Sequence, residues 1–130
     1  MTVLDTDILV ALLKGAPEAL DTIKKLEDQG DQISTTIISA YELLKGAYIS
    51  SRQQENLGKV RDAISSLKVL DLSVKACEEA SKLYSSLKKT GKVIGEFDIL
   101  IAAIARTHDE AIMTRDEHFK SIRGTKLLKW

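Results

Sequence analysis

The chain reads as an α/β domain with a mainly parallel central sheet of four to five strands flanked by helices. Two observations carry that expectation. Short strand-like runs alternate with helix-period segments from end to end, and a single proline, no low-complexity tract and no internal repeat of fixed period leave the alternation unbroken. Length agrees with it: 130 residues, 44% of them hydrophobic, supply one sizeable core and divide poorly into two. One domain over residues 1–130 is therefore expected.

Thr2 to Asp5 reads as a short strand, and the apolar run Ile8 to Leu13 as a helix stopped at Lys14-Gly15. Pro17 opens a second helix where its missing N–H is harmless, and Ala19, Leu20, Ile23 and Leu26 give that helix an apolar face before Gly30. Ile33 to Thr36 is the next strand, followed by helices from about Ser39 to Ile49 and from about Gln54 to Leu67. Val69-Leu70-Asp71-Leu72 reads as a buried strand. Val74 to Lys89 is a long amphipathic helix, with Cys77 placed in the core beside Ala80, Leu83, Tyr84 and Leu87. After a loop at Thr90-Gly91-Lys92, Ile99 to Ile104 is apolar enough for a buried helix, and Ala111 to Thr114 and Leu127 to Trp130 are strand-like.

Bulk charge names no partner, because 19 basic residues balance 19 acidic ones; a nucleic-acid binder would have to gather its basic residues on one face. A single cysteine cannot form an internal disulfide, and the chain opens directly into a strand-like run without a leader-like segment. No stretch approaches the roughly 20 apolar residues that span a bilayer, so a cytoplasmic protein with no membrane partner is expected.

Ligands of parallel α/β sheets collect outside the carboxyl ends of the strands. Asp5 closes the first strand, Glu42 sits in the first turns of the helix after the second, Asp98 lies near the start of the buried helix, and Asp116 falls just beyond Thr114. Asp7 and Glu96 lie in the same neighbourhoods, and Thr6, Ser39 and Thr114 add hydroxyls. Like charges about 4 Å apart repel by roughly 4 kcal/mol at an effective dielectric of about 20, so converging carboxylates imply a cation or bound protons. Oxygen donors without Cys or His at metal spacing favour Mg²⁺ or Mn²⁺ over Zn²⁺, and His108 and His118 stand isolated in the sequence.

Each acid also has a purely structural reading. Ser39-Ala40-Tyr41-Glu42 has the form of a capping box, Asp7 and Glu96 can complement helix dipoles, and Asp116 can serve a turn. Asp5 and Asp98 are harder to explain in that way. Val3, Leu4, Ile8 and Leu9 flank the first, Phe97 and Ile99-Leu100-Ile101 the second, and acids in such apolar runs are seldom buried without a partner.

Taken in order, Leu4-Asp5-Thr6-Asp7, Ser39-Ala40-Tyr41-Glu42-Leu43, Phe97-Asp98-Ile99-Leu100-Ile101-Ala102-Ala103 and Thr114-Arg115-Asp116-Glu117-His118-Phe119 resemble the PIN-domain ribonucleases, especially the VapC toxins of toxin–antitoxin pairs. The resemblance runs from the first strand to the last. It implies a catalytic quartet of Asp5, Glu42, Asp98 and Asp116, with Asp5 and Asp98 binding the metal most directly. Glu42 and Asp116 would complete the shell through water or position the nucleophile. Thr6, Thr114 and Glu96 are implied as support, as is Asp7, and Phe119 as packing. The implied reaction is hydrolysis of RNA phosphodiester bonds with Mg²⁺ or Mn²⁺. The implied partners are a cognate antitoxin and a second copy of the chain.

Lys14, Lys45, Arg52, Lys92 and Arg115 are the basic residues placed near that edge, and no arrangement of aromatics suggests a base-stacking platform. A phosphate-accepting receiver module would need a phosphorylatable Asp at a mid-chain strand end, where Asp71 is followed by Leu72 within its own strand. A haloacid-type phosphatase would need more chain. The alternative carried forward is a non-catalytic module of the same fold that binds RNA or protein.

Overall fold

In the computed structural model, which describes residues 1–130, the alternation closes into one five-stranded sheet. β1 (Thr2–Leu4) lies at its centre, between β2 (Ile33–Thr36) and β4 (Ala111–Met113), and β3 (Lys68–Leu70) and β5 (Leu127–Leu128) form the edges. Every neighbouring pair is parallel. The order β3-β2-β1-β4-β5 means that the chain builds outward from β1 on one side, then crosses back to build the other. The switch point between β1 and β4 is where a parallel sheet opens a crevice for a ligand.

Six helices cover the two faces: α1 (Thr6–Leu13), α2 (Pro17–Asp28), α3 (Ile37–Ile49), α4 (Gln53–Ser66), α5 (Val74–Lys89) and α6 (Glu96–Thr107), with a 3-10 turn over Glu117–Ser121. Side chains of β1 and β4 alternate between two apolar clusters, as the two-residue period of a strand requires. Val3 and Ile112 join the cluster of α5 and α6, whereas Leu4 and Met113 join that of α1 to α4. Burial on both faces explains why these strands are continuous apolar runs. No helix is long and apolar enough to cross a membrane.

Several sequence readings need correction. α3 begins at Ile37, because the Thr36 hydroxyl accepts the Ser39 amide at 3.1 Å and caps the helix there. Ser39 is thus inside the helix, and the capping-box reading of Glu42 fails. β3 stops at Leu70, where its pairing with Thr36 ends, so Asp71 and Leu72 lie outside the strand. β5 ends at Leu128, short of Trp130. Cys77 is exposed: the buried stripe of α5 is Ala76, Ala80, Leu83 and Leu87, and one residue further along a helix turns about 100° away from it. Tyr84 is exposed for the same reason, as are Tyr48 and Ile49 at the end of α3.

Candidate metal centre and catalytic site

Four segments deliver the acids: those after β1 and β4, helix α3 and the first turn of α6. β1 runs straight into α1, so Asp5 is both the residue after the strand and the N-cap of the helix, accepting the Thr6 amide at 2.8 Å. It is 4% exposed, and its second oxygen accepts the Thr114 hydroxyl at 2.7 Å. Thr114 in turn lies 3.2 Å from Asp7 and accepts the Asp116 amide at 3.0 Å, so the segments after β1 and β4 are tied together across the switch point. From α3, Glu42 accepts the Thr6 hydroxyl at 2.7 Å, with Ser39 Oγ 2.9 Å from the same hydroxyl. Asp98 enters from the first turn of α6.

Asp98, Asp116 and His118 each offer a ligand atom, all within 4.8 Å of one another. Asp116 Oδ1 accepts the His118 amide at 2.9 Å and lies 2.8 Å from His118 Nδ1. His118 is isolated along the chain but not in the fold. Two residues after Asp116 in a tight turn, it folds back onto that carboxylate, and Thr114-Arg115-Asp116-Glu117-His118 carries the only sequence signal for it. The tight group therefore holds Asp98 with Asp116 and His118, while Asp5 stands beside it, engaged by hydroxyl and amide donors.

Electrostatics report the same convergence. Desolvation, opposed by the Thr114 and Thr6 hydrogen bonds and aided by the charges of Asp7 and Asp98, pushes the Asp5 carboxyl up to about 7. Desolvation, then the charges of Asp116 and Glu42, raise Asp98 to about 6, against a lowering from His118. Buried acids that repel one another hold protons until a cation replaces them. An oxygen-rich donor set with one imidazole at its margin fits a hard or borderline divalent ion.

Asp7 lies in the same region but is fully used: it accepts the Arg115 amide at 2.7 Å and the Trp130 indole at 3.3 Å. Glu96 is exposed and lines a groove with Cys77, Ala80, Ser81 and Tyr84 of α5, so the structure groups it with that helix rather than with the carboxylates. Phe119 is fully buried in the core. Of the basic residues, Lys14 borders a cleft with Glu42, Arg52 pairs with Glu55 at 3.9 Å, and Arg115 stacks on Trp130 at 3.6 Å. Lys92 falls away from the site, in a groove with Arg106 and Arg123 at the far end of α6. One pairing was invisible in the sequence: Tyr41 and Phe97, 56 positions apart, meet edge to face at 5.7 Å with Lys45 beside both, so an exposed aromatic surface does exist.

A family model described as the PIN domain matches residues 2–124. The chain belongs to the PIN-domain family. PIN-domain relatives match it along almost its whole length. Ribonuclease VapC2 of Haemophilus influenzae is 28% identical over 128 residues, covering 98% of this chain and 96% of the relative. The tRNA(fMet)-specific endonuclease VapC of Shigella flexneri is 27% identical over the same span and shares. Among solved structures, VapBC2 from Rickettsia felis bound to a DNA fragment from its promoter superimposes with a TM-score of 0.92 at 27% identity, covering 99% of this chain and 98% of that one. DNA-bound VapBC from Salmonella typhimurium gives 0.91 at 26%, over 99% and 97%.

Proposed function

We propose that this PIN-domain chain is a divalent-metal-dependent endoribonuclease and the toxin of a VapBC-type toxin–antitoxin pair, working in the cytoplasm. The observation that carries the reading is the convergence of Asp5, Glu42, Asp98 and Asp116 on one crevice, with two of them pushed to about 7 and about 6. The full-length match to relatives named ribonucleases supports the same reading.

Asp98, Asp116 and Asp5 would hold the cation, Mg²⁺ or Mn²⁺. When bound, such an ion supplies Lewis-acid activation of a phosphodiester and of water. Glu42, held by the Thr6 hydroxyl, would orient a water molecule and take its proton. Thr114 holds Asp5 and the Asp116 amide in register, so the donors keep their spacing without the ion. No side chain is needed as a covalent nucleophile.

The antitoxin has a natural seat. A cleft of about 460 Å³ lined by Val10, Leu13, Leu43, Ala47 and Val60 runs up to Glu42, so a partner segment lying in it would reach the acids. Self-association into a homodimer belongs to the same proposal.

The test is cleavage of labelled single-stranded RNA by the purified, partner-free chain in Mg²⁺ or Mn²⁺, in EDTA, and in parallel with Asp5→Asn and Asp98→Asn. Metal-dependent cutting that disappears in both variants is expected. Cutting that survives both would place the nuclease elsewhere, and cation binding without cutting would favour the non-catalytic module.

A further inference from the structure

We propose that Tyr41, Phe97 and Lys45 form a nucleotide-binding subsite beside the carboxylates, where a base of single-stranded RNA stacks on the exposed aromatic pair and a neighbouring phosphate meets the Lys45 ammonium. This rests on the RNA-cleaving reading above and identifies the part of the substrate held next to the scissile bond.

The two rings come from different helices. Tyr41 lies on α3 and Phe97 on α6, and they meet at 5.7 Å with their planes 87° apart. Tyr41 remains 52% exposed and Phe97 36%, so the contact leaves ring surface open to solvent. Water-facing aromatic surface costs free energy unless something covers it. Lys45, one turn after Tyr41, places its ammonium 5.2 Å from each ring centroid. It takes part in none of the ion pairs that occupy Arg52, Lys59, Arg106, Lys120, Lys126 and Lys129. Arg115, another cation at this edge, is already stacked on Trp130 and bonded to its carbonyl.

Position decides the occupant. Tyr41 immediately precedes Glu42 and Phe97 immediately precedes Asp98, and those two carboxylates feel each other's charge. The rings are thus sequence neighbours of the acids on both helices, each turned about 100° from its carboxylate. Single-stranded nucleic acid is held by aromatic faces that take any base together with cations that track its phosphates, and this cluster supplies both. A lysine between two rings also compensates locally for the repulsion that an acidic crevice exerts on phosphate. A second copy of the chain could cover the same rings, but the unpaired ammonium and the continuity with the carboxylates favour RNA.

The test uses the full chain, a short labelled single-stranded RNA and the activating cation, with KM and kcat measured separately and sedimentation run on each variant. Tyr41→Ala and Phe97→Leu, the latter keeping most of the volume but no π face, should raise KM about tenfold while kcat stays within about twofold, the expected cost of losing one stacked base. Lys45→Gln should raise KM and flatten its salt dependence. Tyr41→Phe should restore the wild-type KM, and Tyr84→Ala, an exposed aromatic on α5, should leave it unchanged. Wild-type KM in Tyr41→Ala and Phe97→Leu, with the parent chain cutting RNA, would overturn the subsite alone. So would a loss of self-association at unchanged KM, which would assign the rings to a second copy. A parent chain that cuts no RNA with either cation would overturn the ribonuclease reading and this subsite with it.

Discussion

The two ends of the same sheet handle aspartate in opposite ways. At the amino edge, Asp31 accepts the Thr2 hydroxyl and lies 3.0 Å from the Met1 ammonium, which Glu110 also approaches at 3.4 Å. That hydrogen bond and that charge hold the Asp31 carboxyl below the usual carboxylate range. At the carboxyl edge, Asp5 and Asp98 have hydroxyls, amides and other acids around them, and they are pushed up to about 7 and about 6. The residue type and the strands are shared. What differs is a cation in direct contact: the Met1 ammonium pairs with Asp31, whereas neither Asp5 nor Asp98 has an ion-pair partner. An acid cluster without its own counter-charge is tolerable in a folded chain only if something from outside supplies it.

The largest expected break in that contrast is Asp98→Asn. RNA cleavage should fall at least about a hundredfold, since disturbing even the groups that orient metal ligands can cost that much. In EDTA the melting temperature should hold or rise, because the variant removes a carboxylate that is desolvated and repelled. A large fall in melting temperature would mean that Asp98 is a structural residue.

Stability against pH separates the edges next. Without metal, Asp5 keeps its proton in the folded chain up to about 7, and the unfolded chain loses it near the ordinary aspartate value of about 3.9. Between those values the folded state binds more protons, so stability should fall as pH rises, by up to about 1.4 kcal/mol per pH unit for each such proton. Asp98 adds to the fall up to about 6. Asp31 has the opposite sign: its contribution is present above the unfolded pKa and lost as pH drops through the lowered one. Urea denaturation from pH 5 to 8 in EDTA measures the slope, and Asp5→Asn should flatten it.

Asp31→Asn should lower the melting temperature by about 2–4 °C, the scale of a partly exposed ion pair, and leave cleavage unchanged. Trp130→Ala should have a small effect on cleavage, well below that of Asp98→Asn. It removes the indole that donates to Asp7 and the ring under Arg115, and cleavage should drop about two- to fivefold, the worth of one hydrogen bond. A loss as large as that of Asp98→Asn would place Asp7 in the metal shell itself.

Strand and helix order was legible because the inner strands β1, β2 and β4 are largely buried on both faces and the helices keep a 3.6-residue period, so sequence and burial agree. Asp5 and Asp98 stood out for a related reason, since both interrupt apolar runs, although Asp5 also caps α1. What stayed hidden depended on rotation and distance. Cys77 lies one helical step off the buried stripe, Thr36 rather than Ser39 caps α3, and His118 reaches Asp116 only because a 3-10 turn folds it back. The meeting of Tyr41 with Phe97 is set by the packing of α3 on α6, which neither helix announces alone.

Calorimetric titration of Mn²⁺ into the chain at pH 6, run in two buffers of different ionisation enthalpy, tests the central claim most directly. If the carboxyl edge is a cation site kept neutral by protons, binding should release about one proton or more, and both the release and the affinity should fall in Asp5→Asn and Asp98→Asn. Binding with no proton release, or with the same affinity in both variants, would contradict it.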